Sequence, residues 1–121
     1  MKPRDQGTRW ESAIVEAAEE WGCKAYRLAP SGTKDLADIL IETPNGDTFL
    51  VSAKDRQQLN IHAELGKLLG RVDKADLGCA VAGVGVAWKR MVPGEGVRRV
   101  RAGPPLVAVS LNEWLALITG R

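Results

Sequence analysis

Two charged residues interrupt apolar runs between positions 36 and 54. Asp38 sits in "LADILIE", and Lys54 closes "TFLVSAK" with Ser52 two residues before it. Charges in such surroundings are costly unless they are paired or used. The acid and the amine therefore read in two ways, as a structural ion pair or as a site that acts on a ligand. A surface pair would contribute little to stability. The loop just upstream, "APSGTKD", is small, polar and contains glycine, as a loop near a bound phosphate does.

Whether the three side chains meet depends on the turn between the runs. In "TPNGD", Pro44 suits the first central position of a type I turn, and Gly46 suits the left-handed position that follows in a three-residue loop. With Thr43 and Asp47 closing that loop, counting back sets Asp38 opposite Ser52. Directly opposed residues share a face, and alternation along the strand brings Lys54 to the same face. A two-residue Asn-Gly loop would pair Asp38 with Ala53 and send it to the other side.

The elements that carry this hairpin follow from periodicity. Residues 8–21 form an amphipathic helix, with Trp10, Ile14, Ala17, Ala18 and Trp21 on its apolar face and Thr8 and Glu11 at capping-box spacing. "MKPRDQG" before it reads as loose, and Gly22 suits the stop. Strands are expected at 23–29, 36–42, 48–54, 78–88 and 106–109, with an edge strand at "VRRVRA" after the "VPGEG" turn. A second helix spans 57–74, with Ile61, Leu65, Leu68, Leu69 and Val72 inward. A last helix spans 110–118, with Ser110 and Glu113 at capping-box spacing. An early hairpin and a later helical crossover imply a mixed sheet flanked by helices.

At 121 residues the chain suits one domain with a core that needs no disulfide or structural metal. Net charge is only +2, but its distribution is uneven. Lys89, Arg90, Arg98, Arg99 and Arg101 crowd one segment against Glu95 alone. That segment reads equally as a solvated hairpin or a nucleic-acid contact. Cys23 and Cys79 fall in no metal or redox pattern, and no apolar stretch resembles a signal peptide or a membrane span. Both features point to buried thiols in a reducing, intracellular setting. His62 is the only histidine, which argues against a histidine-based zinc site and leaves it a surface helix position. The four tryptophans lie on apolar patterns and read as core or interface before base stacking.

On these residues the chain resembles the PD-(D/E)xK nuclease superfamily, closest to the archaeal-type and phage Holliday junction resolvases. The matching runs are "GTRWE", "RLAPSG", "ADILI" and "VSAK", within residues 7–74. The resemblance implies a restriction-endonuclease-like α/β fold and a homodimer that cuts branched or double-stranded DNA with Mg²⁺ or Mn²⁺, away from any membrane. It assigns metal binding to Glu11, Asp38 and the Ala53 carbonyl. It makes Lys54 the group that orients water and stabilises charge on the phosphate, and it gives Ser31 an assisting role; Ser52 reads as a hydrogen-bond partner of that water or of Lys54. Gly32 would approach the phosphate, and Arg9, Lys34 and Arg56 would contact DNA. By position alone, Glu11 reads equally as a helix cap.

One departure matters. The family usually carries Glu, Asp or Gln where this chain has Ser52. A hydroxyl is a weak ligand for a hard cation. Three outcomes follow: the remaining ligands with waters suffice, Asp35, Asp47 or Asp55 substitutes, or the protein binds DNA without cutting it.

Overall fold

The computed structural model describes residues 3–28, 36–77, 80–96 and 98–120. In chain order the elements are α1 (Pro3–Glu20), β1 (Lys24–Arg27), β2 (Ile39–Glu42), β3 (Thr48–Asp55), α2 (Ile61–Lys74), β4 (Gly83–Lys89), β5 (Met91–Pro93), β6 (Arg99–Arg101), β7 (Leu106–Ala108) and α3 (Leu111–Thr119). Five strands form one mixed sheet in the order β1-β2-β3-β4-β7. Among the described residues only β3 and β4 pair in parallel, because α2 carries the chain across between them.

The β2–β3 turn has the geometry its residues predict. Thr43 N donates to Asp47 O at 2.8 Å, Gly46 N donates to Thr43 O at 2.9 Å, and Gly46 sits at φ +89°. That conformation is open to glycine at no steric cost. The three-residue loop fixes Ile39 opposite Val51.

Alternation along the strands then builds two cores. Leu50, Val84 and Val86 face one side and pack with Leu68 and Val72 of α2. Ile39, Val51 and Ala87 face the other side and pack with Trp10 and Ile14 of α1. The Trp10 indole N–H also donates to the Ala87 carbonyl at 3.2 Å.

Several local expectations shift. The N-terminal segment expected to be loose is helical from Pro3, so Thr8 lies inside α1 and cannot cap it. Proline is well tolerated at a first helical position. Trp21 falls beyond the helix end and is exposed rather than on the apolar face. α2 begins at Ile61, capped by Asn60 Oδ1 accepting from Ala63 N at 3.0 Å, and Leu69 is exposed. "VRRVRA" does supply a strand, but β6 pairs with β5 in a separate two-stranded ribbon. At α3, Ser110 Oγ accepts from Glu113 N at 3.2 Å, as a capping box requires. The Glu113 carboxylate does not return the bond; it accepts from Val84 N at 2.7 Å on the central strand. Gly83 permits that approach, since a Cβ there would run into the Glu113 carboxylate and the Phe49 ring.

Candidate active site

β2 ends before β3 does. The regular pairing begins at Ile39 opposite Val51, so β3 residues 52–55 keep β4 as a partner while their other edge loses β2. Asp38 stands where the two strands part. Its backbone N–H donates to Val51 O at 3.1 Å, and its carboxylate Oδ2 accepts the Ala53 N–H at 2.8 Å. A strand residue directs its N–H and its C=O to the same side. The Ala53 carbonyl therefore faces the edge at which the Asp38 carboxylate sits.

The regular register stops at Ile39: Asp38 directs its N–H to Val51 of β3 but its C=O toward β1, where it accepts from Leu28 N at 2.9 Å, so the ladder does not continue to the expected pairing of Asp38 with Ser52. Ser52 and Lys54 share one face of β3 with Leu50. That face is the α2 side. Lys54 Nζ lies 3.4 Å from Oε2 of Glu64, in the first turn of α2. Glu64 also draws Lys67 at 3.7 Å and Arg56 at 3.8 Å. Its side chain is 12% exposed and that of Lys54 is 21% exposed, whereas Arg56 and Lys67 stand in solvent. Burial alone raises the Glu64 pKa, but Lys54, Lys67 and Arg56 outweigh it and hold the carboxyl below the ordinary range. The lysine thus has a fixed acid beside it, and that acid is Glu64 rather than Asp38.

Glu64 was not among the residues singled out from the sequence, although a signal for it existed. It lies four positions before Leu68, so a helical wheel puts a carboxylate beside the most deeply buried residue of α2.

The other expected residues divide. Ser52 is only 3% exposed, packed in the sheet between Leu50 and Lys54, which sets its hydroxyl beneath the surface rather than at the edge. Glu11 is in mid-helix, so it is no cap. Its carboxylate takes the Arg27 guanidinium at 3.1 Å. Arg27 pairs with Ile39, which packs against α1. Glu11 is therefore at the same end of the sheet as Asp38 and on the face opposite Lys54. Arg9 and Arg56 are exposed. Ser31, Gly32, Lys34 and Asp35 lie outside the described residues. Asp47 is at the far end of the hairpin, about 17 Å from position 52 at the usual rise per residue. Asp55 points to the α1 side, where its carboxylate holds Arg99 at 3.1 Å and Lys89 at 3.6 Å. It serves as the anchor of the β5–β6 ribbon and is turned away from Lys54.

No three His, Cys, Asp or Glu side chains among the described residues form a group that could hold a metal ion. What the edge offers is one carboxylate and one backbone carbonyl, both hard oxygen donors. That set suits magnesium, which keeps several waters and takes one or two carboxylates. It does not suit zinc or another cation that needs a full protein cage.

No helix among the described residues is long and apolar enough to cross a membrane. No protein-family profile matches the chain, and no curated protein sequence does. Among solved structures, the chain is similar to Hjc, a Holliday junction resolvase from the archaeal hyperthermophile Archaeoglobus fulgidus. The identity is 19%, the match covers 96% of this chain and 97% of that one, and the TM-score is 0.51. The likeness is one of fold: a mixed five-stranded sheet flanked by three helices, of the restriction-endonuclease-like type.

Proposed function

We propose that this protein is a metal-dependent, structure-specific endodeoxyribonuclease that hydrolyses a phosphodiester in branched DNA, with the Holliday junction as its substrate. One observation carries the reading. Asp38 accepts from the Ala53 N–H at the strand edge where β2 leaves β3, with Lys54 next along β3, in a fold similar to that of a resolvase.

Asp38 and the Ala53 carbonyl would hold a magnesium ion. The chemistry that ion supplies when bound is polarisation of a phosphate oxygen and acidification of a water. Lys54, steadied by Glu64, presents its ammonium to the non-bridging oxygens and stabilises the negative charge that grows on them. Water adds to phosphorus, the P–O3′ bond breaks, and the 3′ oxygen leaves as a hydroxyl after taking a proton. Glu64 acts through Lys54 and is a positioning residue. Exposed Arg9 and Arg56 supply phosphate contacts that orient the duplex arms without reading sequence.

A homodimer fits this substrate, since a four-way junction has two-fold character and needs two cuts. The surface supports it. No residue of α3 is buried, and Leu111, Trp114, Leu117 and Ile118 are at least half exposed beside Leu106 and Val107 of the edge strand β7. An apolar patch of that kind marks an interaction surface, and a second copy of the chain is the occupant this reading assigns to it.

Purified protein, Mg²⁺ and labelled four-way, flap and linear duplex DNA test the proposal. Paired symmetric nicks in the junction alone are expected, abolished by Lys54→Ala and by Asp38→Asn. Cutting of linear duplex would move the assignment to a restriction- or repair-like nuclease. A second reading, DNA binding without cleavage, is favoured by the burial of Ser52 and by Glu11 facing away. Tight junction binding with no nicks under Mg²⁺ or Mn²⁺ would establish it.

A further inference from the structure

A cavity of about 400 Å³ lies beside the candidate site rather than over it. Leu59, Trp88 and Leu106 supply apolar walls, and Gln57, Gln58 and Arg90 line it with polar groups. Trp88 is the parallel register partner of Lys54, so the ring and the ammonium rise from neighbouring strands on one face. The indole N–H donates to the Arg56 carbonyl at 2.8 Å, and Arg90 Nε donates to the Gln57 carbonyl at 2.9 Å. These bonds fix the ring and the guanidinium against the segment that leaves β3. With its N–H satisfied by protein, the indole has an apolar ring surface to offer. The two glutamine amides each carry donors and an acceptor.

A flat aromatic wall, amide groups and a basic rim one strand from a phosphate-handling lysine match one chemistry. We infer that this cavity receives an unstacked nucleobase from the DNA strand whose phosphate lies at Lys54. The inference rests on the proposed nuclease reading and deepens it. Bases at a branch point have lost part of their stacking, so drawing one into a pocket there costs less than in a continuous duplex. Stacking on an aromatic side chain compensates, and it is tolerant of sequence because every base has a π face. The cavity would make the protein prefer branched over linear DNA through base capture as well as through shape.

The test couples protein and DNA changes. Junction binding is measured in EDTA, where cutting is suppressed, for wild type, Trp88→Leu and Gln58→Ala. The DNA carries each of the four bases or an abasic analogue at each branch-point position in turn. Wild type is expected to lose about tenfold in affinity when the captured base is removed, the equivalent of ~1.4 kcal/mol for one stack. Trp88→Leu loses the same on the intact junction and nothing further on that abasic one. Gln58→Ala, an exposed loop change that leaves the ring in place, keeps a response to base removal but alters the ranking among the four bases. Losses that multiply in Trp88→Leu, or an abasic series with no effect on wild type, overturn the pocket while leaving the nuclease reading intact. Failure of wild type to bind any DNA overturns both. If Trp88→Leu does not fold, Gln58→Ala decides: an unchanged base ranking overturns the inference.

Discussion

Replacing Glu64 with glutamine tests whether α2 holds the lysine of the candidate site. At 3.4 Å, two unit charges attract by roughly 5 kcal/mol at an effective dielectric near 20, before the cost of desolvating them. Desolvation cancels most of this, and the two outer cations, standing in solvent, add at most about 0.5 kcal/mol each. A net loss of about 2 kcal/mol is expected at pH 7, or about 8 °C in Tm for a chain of this size. The pH dependence gives the sharper signature. Glu64 has its folded pKa below the ordinary 4.5, so its contribution is present above the unfolded pKa and is lost as pH falls through the folded one. The gap between wild type and Glu64→Gln in urea denaturation should thus be full at pH 7 and close below about pH 4.5. In the cleavage assay the variant should keep junction binding and lose roughly ten- to a hundredfold in rate, because Lys54 is no longer fixed. A stability gap under about 0.5 kcal/mol at pH 7, or one that persists unchanged to pH 3, would refute the account of the pair.

Three further changes probe the frame. Glu113 is held above its ordinary pKa by burial, opposed by its bond from Val84, and its Oε2 has no partner. Stability from its protonated form is complete below the unfolded pKa and is lost as pH rises through the folded one. Glu113→Gln should therefore stabilise by about 1 kcal/mol at pH 8 and converge with wild type near pH 4 in denaturant titrations. Asp55→Ala removes a 7%-exposed acid shared by Lys89 and Arg99 and should cost about 3 kcal/mol, with faster hydrogen exchange confined to the β5–β6 ribbon and its junction with β4. Ser52→Glu places a larger, charged side chain at a 3%-exposed position beside Val86 and should cost ~1–3 kcal/mol in thermal melts. Any gain in its cleavage rate would show that a carboxylate on β3 limits the wild type.

The parts of the site on one hairpin were legible because local chemistry determines them. Pro44 and Gly46 select the loop, the loop selects the register from Glu42 opposite Thr48 to Ile39 opposite Val51, and alternation sets Ser52 and Lys54 on one side; that register ends before Asp38, whose N–H and C=O turn to different neighbours. Two apolar helices and an almost unbroken apolar β4 likewise announce a covered mixed sheet. Relations across elements were not legible. Glu64 meets Lys54 only because α2 packs over β3 and β4, and spacing along the chain does not encode that contact. Glu11 kept its motif spacing, yet the packing of Trp10 and Ile14 against Ile39 and Val51 turns it toward Arg27. Glu113 satisfied the capping pattern with its backbone, leaving the carboxylate to a strand that the pattern cannot name.

Ser52 and Glu64 together explain how Lys54 is held with no carboxylate at position 52. An acid at position 52 would have to leave a site covered by β4 and α2 before it could meet either a cation or the lysine. The serine fits that cover without strain or charge. The lysine two residues on still needs an opposite charge, since a mostly buried ammonium is unfavourable alone. α2 supplies it from above, with a capped first turn that fixes Glu64 at the strand end. The two tasks that one β3 carboxylate could combine, cation ligand and partner to the lysine, are thereby separated. On the proposed reading, Asp38 and the Ala53 carbonyl would hold a cation at the edge, and Glu64 takes the lysine. Such a division predicts different phenotypes for the two acids. Loss of the Asp38 charge should change the metal dependence of cleavage, whereas loss of the Glu64 charge should change its pH dependence.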